Sequence, residues 1–419
     1  MTPRALLDAC STLLREVLRF DSPADGVVSA YFRQHKALGA RERHTLAETT
    51  YAVLRRRLVL QHLAQGGSGT PERRLAMLGW AGDPAFLKAA LSADEQAWLA
   101  KANAIDRATL APKLRYNLPD WIAQPLLAQL GDSSFWSLIA SLDQIAPLDL
   151  RVNIFKAKRD AVQTALAAAG IDAQPTPYSP WGLRIVGKPA LNKLELFTQG
   201  HVEVQDEGSQ MLALLTDAKR GEMVVDFCAG AGGKTLALGA AMKNTGRLYA
   251  FDTSGHRLDA LKPRLTRSGL SNVYPVQIAH ERDERIKRLA GKIDRVLVDS
   301  PCSGLGTLRR NPDLKWRQSP QAVAELNAKQ SAILASAARL LKPGGRLIYA
   351  TCSLLTSENE AIAESFTTSQ SGFERLDASA LLASAGVPEP GALTSAGSLR
   401  LWPHLHSTDG FFASIWRRS

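Results

Sequence analysis

The sequence predicts an α/β protein with an open, mostly parallel, doubly wound sheet over residues 206–419. An all-α domain over 1–140 and a small α+β unit over 145–205 precede it. Short apolar runs carry the prediction of the sheet: Met223 to Phe227, Arg247 to Asp252, Arg295 to Asp299 and Arg346 to Ala350. They are nearly continuous rather than alternating, as strands covered on both faces are. Helical stretches separate them, and a sheet of this kind holds its ligands at the carboxyl ends of its strands.

The first 140 residues show helical spacing instead. Ala5, Leu6, Ala9, Leu13 and Leu14 recur on one face, as do Leu46, Tyr51, Leu54 and Leu58. Gly66 to Pro71 reads as a loop, and Asn117 to Trp121 as a break before a new helix. A boundary falls at Ile145-Ala146-Pro147. Beyond it come a strand at Leu150 to Asn153, a helix from Arg159 to Ala169, and short strands at Trp181 to Val186 and Gly200 to Gln205. In the last part, a helix runs from Ser319 to Leu341, with Pro320 in its first turn and Lys342-Pro343-Gly344-Gly345 as its stop.

Composition bounds the function. A length of 419 residues implies ~2–3 domains. The first helix carries Arg4, Asp8, Arg15 and Glu16, which excludes a signal peptide, and no apolar run reaches the ~18 residues that cross a bilayer. Four scattered cysteines suit a reducing cytoplasm. A formal charge of +11 favours a polyanionic partner, nucleic acid first. A monomer is the default expectation.

Asp226-Phe227-Cys228-Ala229-Gly230-Ala231-Gly232-Gly233-Lys234-Thr235 joins the first strand of the sheet to a helix. Small residues let a backbone approach a ligand, and a helix start offers unspent N–H groups. A phosphate-binding P-loop needs glycine where Cys228 stands, and a dinucleotide fingerprint needs it where Thr235 stands. Asp252 ends the second strand, where a carboxylate can accept both hydroxyls of a ribose. A nucleoside site without a pyrophosphate cradle fits S-adenosylmethionine; the bland reading is a structural glycine turn.

Two thiols end predicted strands: Cys302 in Asp299-Ser300-Pro301-Cys302-Ser303-Gly304, and Cys352 in Tyr349-Ala350-Thr351-Cys352-Ser353. One thiol suggests a nucleophile; two suggest attack followed by assisted release. No Cys-x-x-Cys pair or suitably spaced histidine supports a metal site. Arg309, Arg310, Lys315 and Arg317 follow the first run closely and read as phosphate contacts, with Trp316 either stacking on a base or packing. Arg55-Arg56-Arg57 reads equally as a phosphate contact or a solvated helix face. Cys10 reads as packing, and Cys228 as a residue whose backbone matters more than its thiol.

The Cys302 run, with Arg309-Arg310-Asn311-Pro312-Asp313, resembles the fourth motif of RNA cytosine-5 methyltransferases. The Cys352 run, with Glu358-Asn359-Glu360, resembles their sixth, Asp226 to Thr235 their first, and Val204 to Ser209 the stretch before it. Residues 1–140, through Arg41-Glu42-Arg43 and Tyr51 to Arg55, are more weakly similar to the NusB-like domain on bacterial small-subunit ribosomal RNA methyltransferase B. The middle unit, through Leu150 to Asn153, is similar to the family's small RNA-binding subdomain.

The resemblance implies a Rossmann-like S-adenosylmethionine-dependent methyltransferase sheet. Cys352 would attack C6 of a cytosine, Cys302 would assist release, and Asp299 would hydrogen-bond the ring near N3. The cofactor would rest on Cys228 to Lys234, Asp252 and Asp299. Ala231 stands where the family usually has proline. The family's third-strand acid has no clear counterpart: His280 falls near that position and Asp283 is the nearest carboxylate. Small-subunit ribosomal RNA is the implied substrate, with transfer RNA as runner-up. DNA cytosine-5 enzymes lack the Thr-Cys-Ser element, amino-group enzymes carry a different motif at 300–302, and a non-catalytic assembly factor would seldom keep this whole set.

Overall fold

Thr2 and Pro3 open the first helix, Pro3–Val17, with the threonine hydroxyl accepting from Ala5 N at 3.3 Å. Its Leu6, Leu7, Cys10, Leu13 and Leu14 face inward at i, i+3, i+4 spacing and are buried. The computed structural model describes residues 1–187 and 189–419. By contacts it divides into one unit of Met1–Gln144 with Leu308–Pro320, and a second of Ile145–Thr307 with Gln321–Ser419.

The first unit is helical. Helix Ala40–Arg55 ends at Arg56, whose non-helical backbone starts a new helix, Arg57–Leu63. Thr70 caps helix Pro71–Leu78 after the glycine loop. Asn117 takes a left-handed conformation (φ 53°) and breaks the chain before Asp120–Leu142. Cys10 is wholly buried, and burial pushes its thiol up to about 12, so it packs and does not react.

Leu308–Pro320 belongs to this helical unit, which corrects the reading of Arg309 and Lys315 as open phosphate contacts. Lys315 is 6% exposed, and its ammonium donates to Arg55 O at 2.7 Å and Asn117 O at 2.9 Å. Arg309 is equally buried at 6%, and its carbonyl accepts from Arg55 Nη2 at 2.7 Å. Trp316 donates its indole N–H to Leu54 O at 2.8 Å, so of its two readings packing holds. The Arg57 guanidinium lies over the Phe20 and Trp316 rings at 4.8 and 5.2 Å. A local run of Arg, Lys and Trp says nothing of carbonyls two hundred residues away in the chain that can satisfy it.

The second unit starts with strands β1 (Leu148–Val152), β2 (Ala173–Pro175), β3 (Gly182–Ile185) and β4 (Val202–Val204) in the order β2-β3-β1-β4, all antiparallel. Helix Arg159–Ala168 buries Val162 and Leu166 against them. Glu203 on β4 pairs with Arg264 at 2.9 Å, and Asn153 Nδ2 donates to Ser268 O at 3.1 Å, tying this small sheet to the large one's helices.

The large sheet is formed by β5 (Met223–Asp226), β6 (Arg247–Asp252), β7 (Val273–Gln277), β8 (Ile293–Asp299), β9 (Leu341–Thr351), β10 (Phe373–Leu376), β11 (Thr394–Ser395), β12 (Ser398–Leu401) and β13 (Phe411–Arg418). Its order is β11-β12-β13-β9-β8-β5-β6-β7, with β10 on β13. The half from β7 to β9 is parallel as the apolar runs predict, while β10 to β13 join antiparallel, so the sheet is mixed. The helix before β9 spans Pro320–Ala338, and the Lys342–Gly345 run that ends it is already inside β9. The strand order reverses beside β5, which places the crevice at the ends of β5, β6, β8 and β9.

Candidate active site

Strands β5, β6, β8 and β9 each deliver one functional group where the strand ends. The turn after β5 is held by Phe227 N on Leu297 O and Ala229 N on Phe251 O, both at 2.8 Å. Gly232 then begins helix Gly233–Ala241 at φ 83°, where a Cβ would lie 2.1 Å from Leu261 Cδ1. At Gly230 (φ 56°) a Cβ would meet nothing within 4 Å, so this glycine is needed for its backbone rather than for space.

Cys228 to Ala231, Gly233 and Lys234 line one cleft of about 830 Å³ together with Asp252, Asp299, Cys302 and Cys352. Gly232 stands behind the lining. Asp252 accepts Gly230 N at 2.8 Å on one oxygen and Ser254 N at 2.7 Å on the other. Each carboxylate oxygen has a second lone pair, so capacity for two hydroxyls remains. Asp226, at the cleft's base, takes the Thr235 hydroxyl at 2.7 Å on Oδ2, while its buried Oδ1 has no partner. Burial pushes the Asp226 carboxyl up to about 7, with the Asp299 charge adding to it against the Thr235 hydrogen bond. An orphaned acceptor, a two-hydroxyl carboxylate and a close-approach backbone suit the ammonium, ribose and methionine ends of S-adenosylmethionine.

Asp283 is not brought to the cleft. Its carboxylate caps helix Glu284–Lys287, accepting Ala279 N and Arg285 N at 2.9 Å each, and those backbone bonds hold it below the usual carboxylate range. Ile278, His280 and Glu281 line the cleft beyond β7 instead.

The thiols meet. Cys302 Sγ and Cys352 Sγ are 3.5 Å apart, both partly exposed. The hydrogen bond to Cys352, burial and the charge of Cys352 together raise the Cys302 thiol well above its ordinary value. Lys234 Nζ sits 2.6 Å from Asp299 Oδ2; burial pulls this ammonium down, but the Asp299 charge and hydrogen bond carry it above its usual value. Burial likewise raises the Cys228 thiol, leaving it a backbone residue of the loop.

Glu358, part of the stretch that resembles the family's sixth motif, carries no chemical role in the sequence and proves central. Fully buried, it accepts Ser303 N at 2.8 Å, Ser303 Oγ and Ser353 Oγ at 2.5 Å each, and Gln330 Nε2 at 3.0 Å. Those serines directly follow Cys302 and Cys352, so one carboxylate fastens both thiol-bearing turns. Gln330 also donates to Pro301 O at 3.0 Å. Gly306 N donates to Cys352 O at 2.8 Å, in a backbone approach so close that a Cβ on Gly306 would lie 2.1 Å from Gly410 O.

A doubly wound sheet with a nucleoside loop and two facing thiols defines a class, the S-adenosylmethionine-dependent RNA methyltransferases that modify cytosine C5. Residues 213–417 match the family described as 16S rRNA methyltransferase RsmB/F, and residues 118–191 match the RsmF/B-like ferredoxin-like domain. A probable ribosomal RNA small subunit methyltransferase B from Synechocystis sp. is 32% identical over 444 residues, covering 97% of this chain and 98% of the relative. The ribosomal RNA small subunit methyltransferase B of Sodalis glossinidius is 35% identical over 246 residues, 59% of this chain and 56% of the relative. Among solved structures, PH0851 superposes with a TM-score of 0.80 at 26% identity, over 100% of this chain and 99% of that one. A methyltransferase homologue from Pyrococcus horikoshii gives 0.64 at 26% identity, over 75% and 100% of the two chains. The chain belongs to the RsmB/F family of RNA cytosine-5 methyltransferases. Among the described residues no helix is long and apolar enough to cross a membrane, and no cluster of ligating side chains could hold a metal.

Proposed function

We propose that the protein methylates C5 of a cytosine in small-subunit ribosomal RNA, in the cytoplasm, through a covalent bond between Cys352 and C6. The observation that supports it most is the 3.5 Å contact between Cys302 and Cys352 in the cleft that Asp299 and the glycine loop share. The full-length similarity to a small-subunit enzyme favours that RNA over transfer RNA. The helical unit and the four-stranded unit would select it.

S-adenosylmethionine, held by Cys228 to Lys234, Asp226 and Asp252, supplies an electrophilic methyl group. Cytosine C5 is too weak a nucleophile unaided. Addition of the Cys352 thiolate to C6 forms an S–C6 bond and makes C5 enamine-like. Asp299, oriented by Lys234, stabilises a proton on N3 while charge develops in the ring. Once C5 carries the methyl, Cys302 takes the C5 proton, the S–C6 bond breaks, and Cys352 leaves as thiolate. Cys302 Sγ, 3.5 Å from the attacking sulfur, is placed to act as that base once it has given its own proton to solvent. The target base must be unstacked for a thiol to reach C6.

The test is methyl incorporation from labelled S-adenosylmethionine into unmodified small-subunit ribosomal RNA, naked and as a particle, and into transfer RNA, with the product base mapped. 5-Methylcytosine at one small-subunit position is expected; label in transfer RNA alone, or in neither, contradicts the proposal.

The cofactor assignment has its own test by calorimetry. Asp252→Ala is expected to weaken S-adenosylmethionine binding about 10–100-fold, the value of hydrogen bonds to a charged group. Asp283→Ala is expected to leave it unchanged; the reverse pattern would return the adenosine contact to Asp283.

A further inference from the structure

The helical unit contains a second cavity, of about 140 Å³, which the chemistry above does not use. Arg55, Arg56, Arg107, Arg115 and Lys315 line it, with Asp143 as the one acid in the lining. That acid is already spent on Arg56, at 2.7 Å from Nη2 and 2.8 Å from Nε. Among the described residues no carboxylate forms an ion pair with Arg55, Arg107, Arg115 or Lys315 in this lining, although the Asp143 charge reaches Arg55 and Lys315. Lys315 gives two protons to carbonyls, Arg55 gives Nη2 to the Arg309 carbonyl, and the buried Arg55 Nε has no partner. The Arg115 guanidinium lies over the Trp136 ring at 4.6 Å, held beside the cavity rather than loose in solvent. Burial lowers the pKa of both Arg55 and Lys315, the latter to about 7, and outweighs the opposing charge of Asp143. Part of the wall, Leu308, Pro312 and Lys315, is chain that follows the Cys302 run in sequence.

We infer that this cavity binds a phosphate group of the RNA backbone. Converging guanidinium forks are the donor set for a phosphate, with Lys315, held by its two carbonyls, adding positive charge behind them. The inference rests on the reading of the protein as an RNA methyltransferase and adds where, outside the catalytic cleft, the RNA is gripped.

Arg107 and Arg115 are exposed at the rim, so Arg107→Gln/Arg115→Gln should fold normally. Arg4→Gln/Arg15→Gln removes the same charge from exposed positions of helix Pro3–Val17, away from the cavity. Affinity for a labelled small-subunit ribosomal RNA fragment is measured against salt concentration, together with KM for methyl transfer. The cavity variant is expected to lose about tenfold in affinity, raise KM correspondingly, and reduce the salt slope by about 1–2. The control is expected to keep its slope. Inorganic phosphate at matched ionic strength should compete with RNA for wild type and not for the cavity variant.

Equal effects in the two variants would reduce the cavity to general charge and overturn the inference. So would lost phosphate competition with RNA affinity kept, which would assign the cavity to the free ion. Wild-type protein that methylates RNA while the cavity variant matches it in KM and slope would overturn the cavity alone. Wild-type protein that neither binds nor methylates RNA would overturn the RNA reading itself.

Discussion

Cys352→Ala is expected to lose methyl transfer by about 10⁴-fold or more, the scale on which removing a covalent nucleophile acts. S-Adenosylmethionine affinity should stay within about twofold, because the nucleoside-binding groups come from β5 and β6 while Cys352 follows β9. Folding should persist as well. Ser353, not Cys352, makes the bond to Glu358, and the Gly306 contact uses the Cys352 carbonyl, which alanine keeps. Rapid-mixing kinetics with saturating cofactor would check this; turnover within tenfold of wild type would remove Cys352 from the nucleophile's place.

Cys302→Ala should fail in a different way. Its partner thiol still reaches C6 and the methyl group still arrives, but nothing at 3.5 Å remains to take the C5 proton. Elimination needs that proton to leave, so the S–C6 bond persists and the enzyme stays joined to its RNA. Multiple turnover is expected to fall about 10²–10⁴-fold, the usual value of a positioned general base, while the first methyl is transferred. The pH profile provides a further sign. Release needs the Cys302 thiolate, whose pKa the neighbouring thiol and burial raise above its ordinary value, so release in wild type should speed up as pH rises through the thiol range. Replacing Cys302 should remove that dependence from release.

Much of this was legible along the chain. Strands β5, β6, β8 and β9 are continuous apolar runs because both faces are covered, and each ends in the residue it delivers: Asp226, Asp252, Asp299 and, one residue past β9, Cys352. Local pattern therefore shows these four strands and the cleft at their ends. What it hid depends on distant partners. Glu358 looks like any acid near a helix start, and only the fold brings it to Ser303, 55 residues away in sequence. Lys315 and Trp316 look like RNA contacts until the carbonyls of Arg55, Asn117 and Leu54 close around them. Asp283 is the converse case. An aspartate two residues before a donating amide is a capping signal that the sequence does contain, and it outweighs nearness to the third strand. Strands β10 and β11 are hard to see along the chain because they are four and two residues long and incompletely buried, and between β12 and β13 there is no long helix of the kind that separates the parallel strands.

The most direct measurement is a denaturing gel of wild type, Cys302→Ala and Cys352→Ala, each incubated with S-adenosylmethionine and unmodified small-subunit ribosomal RNA. A slow-migrating protein–RNA adduct with Cys302→Ala alone is the expected result, since only that variant attacks without release. An adduct formed by Cys352→Ala, or methylated RNA produced without any adduct from Cys302→Ala, would contradict the two-thiol mechanism.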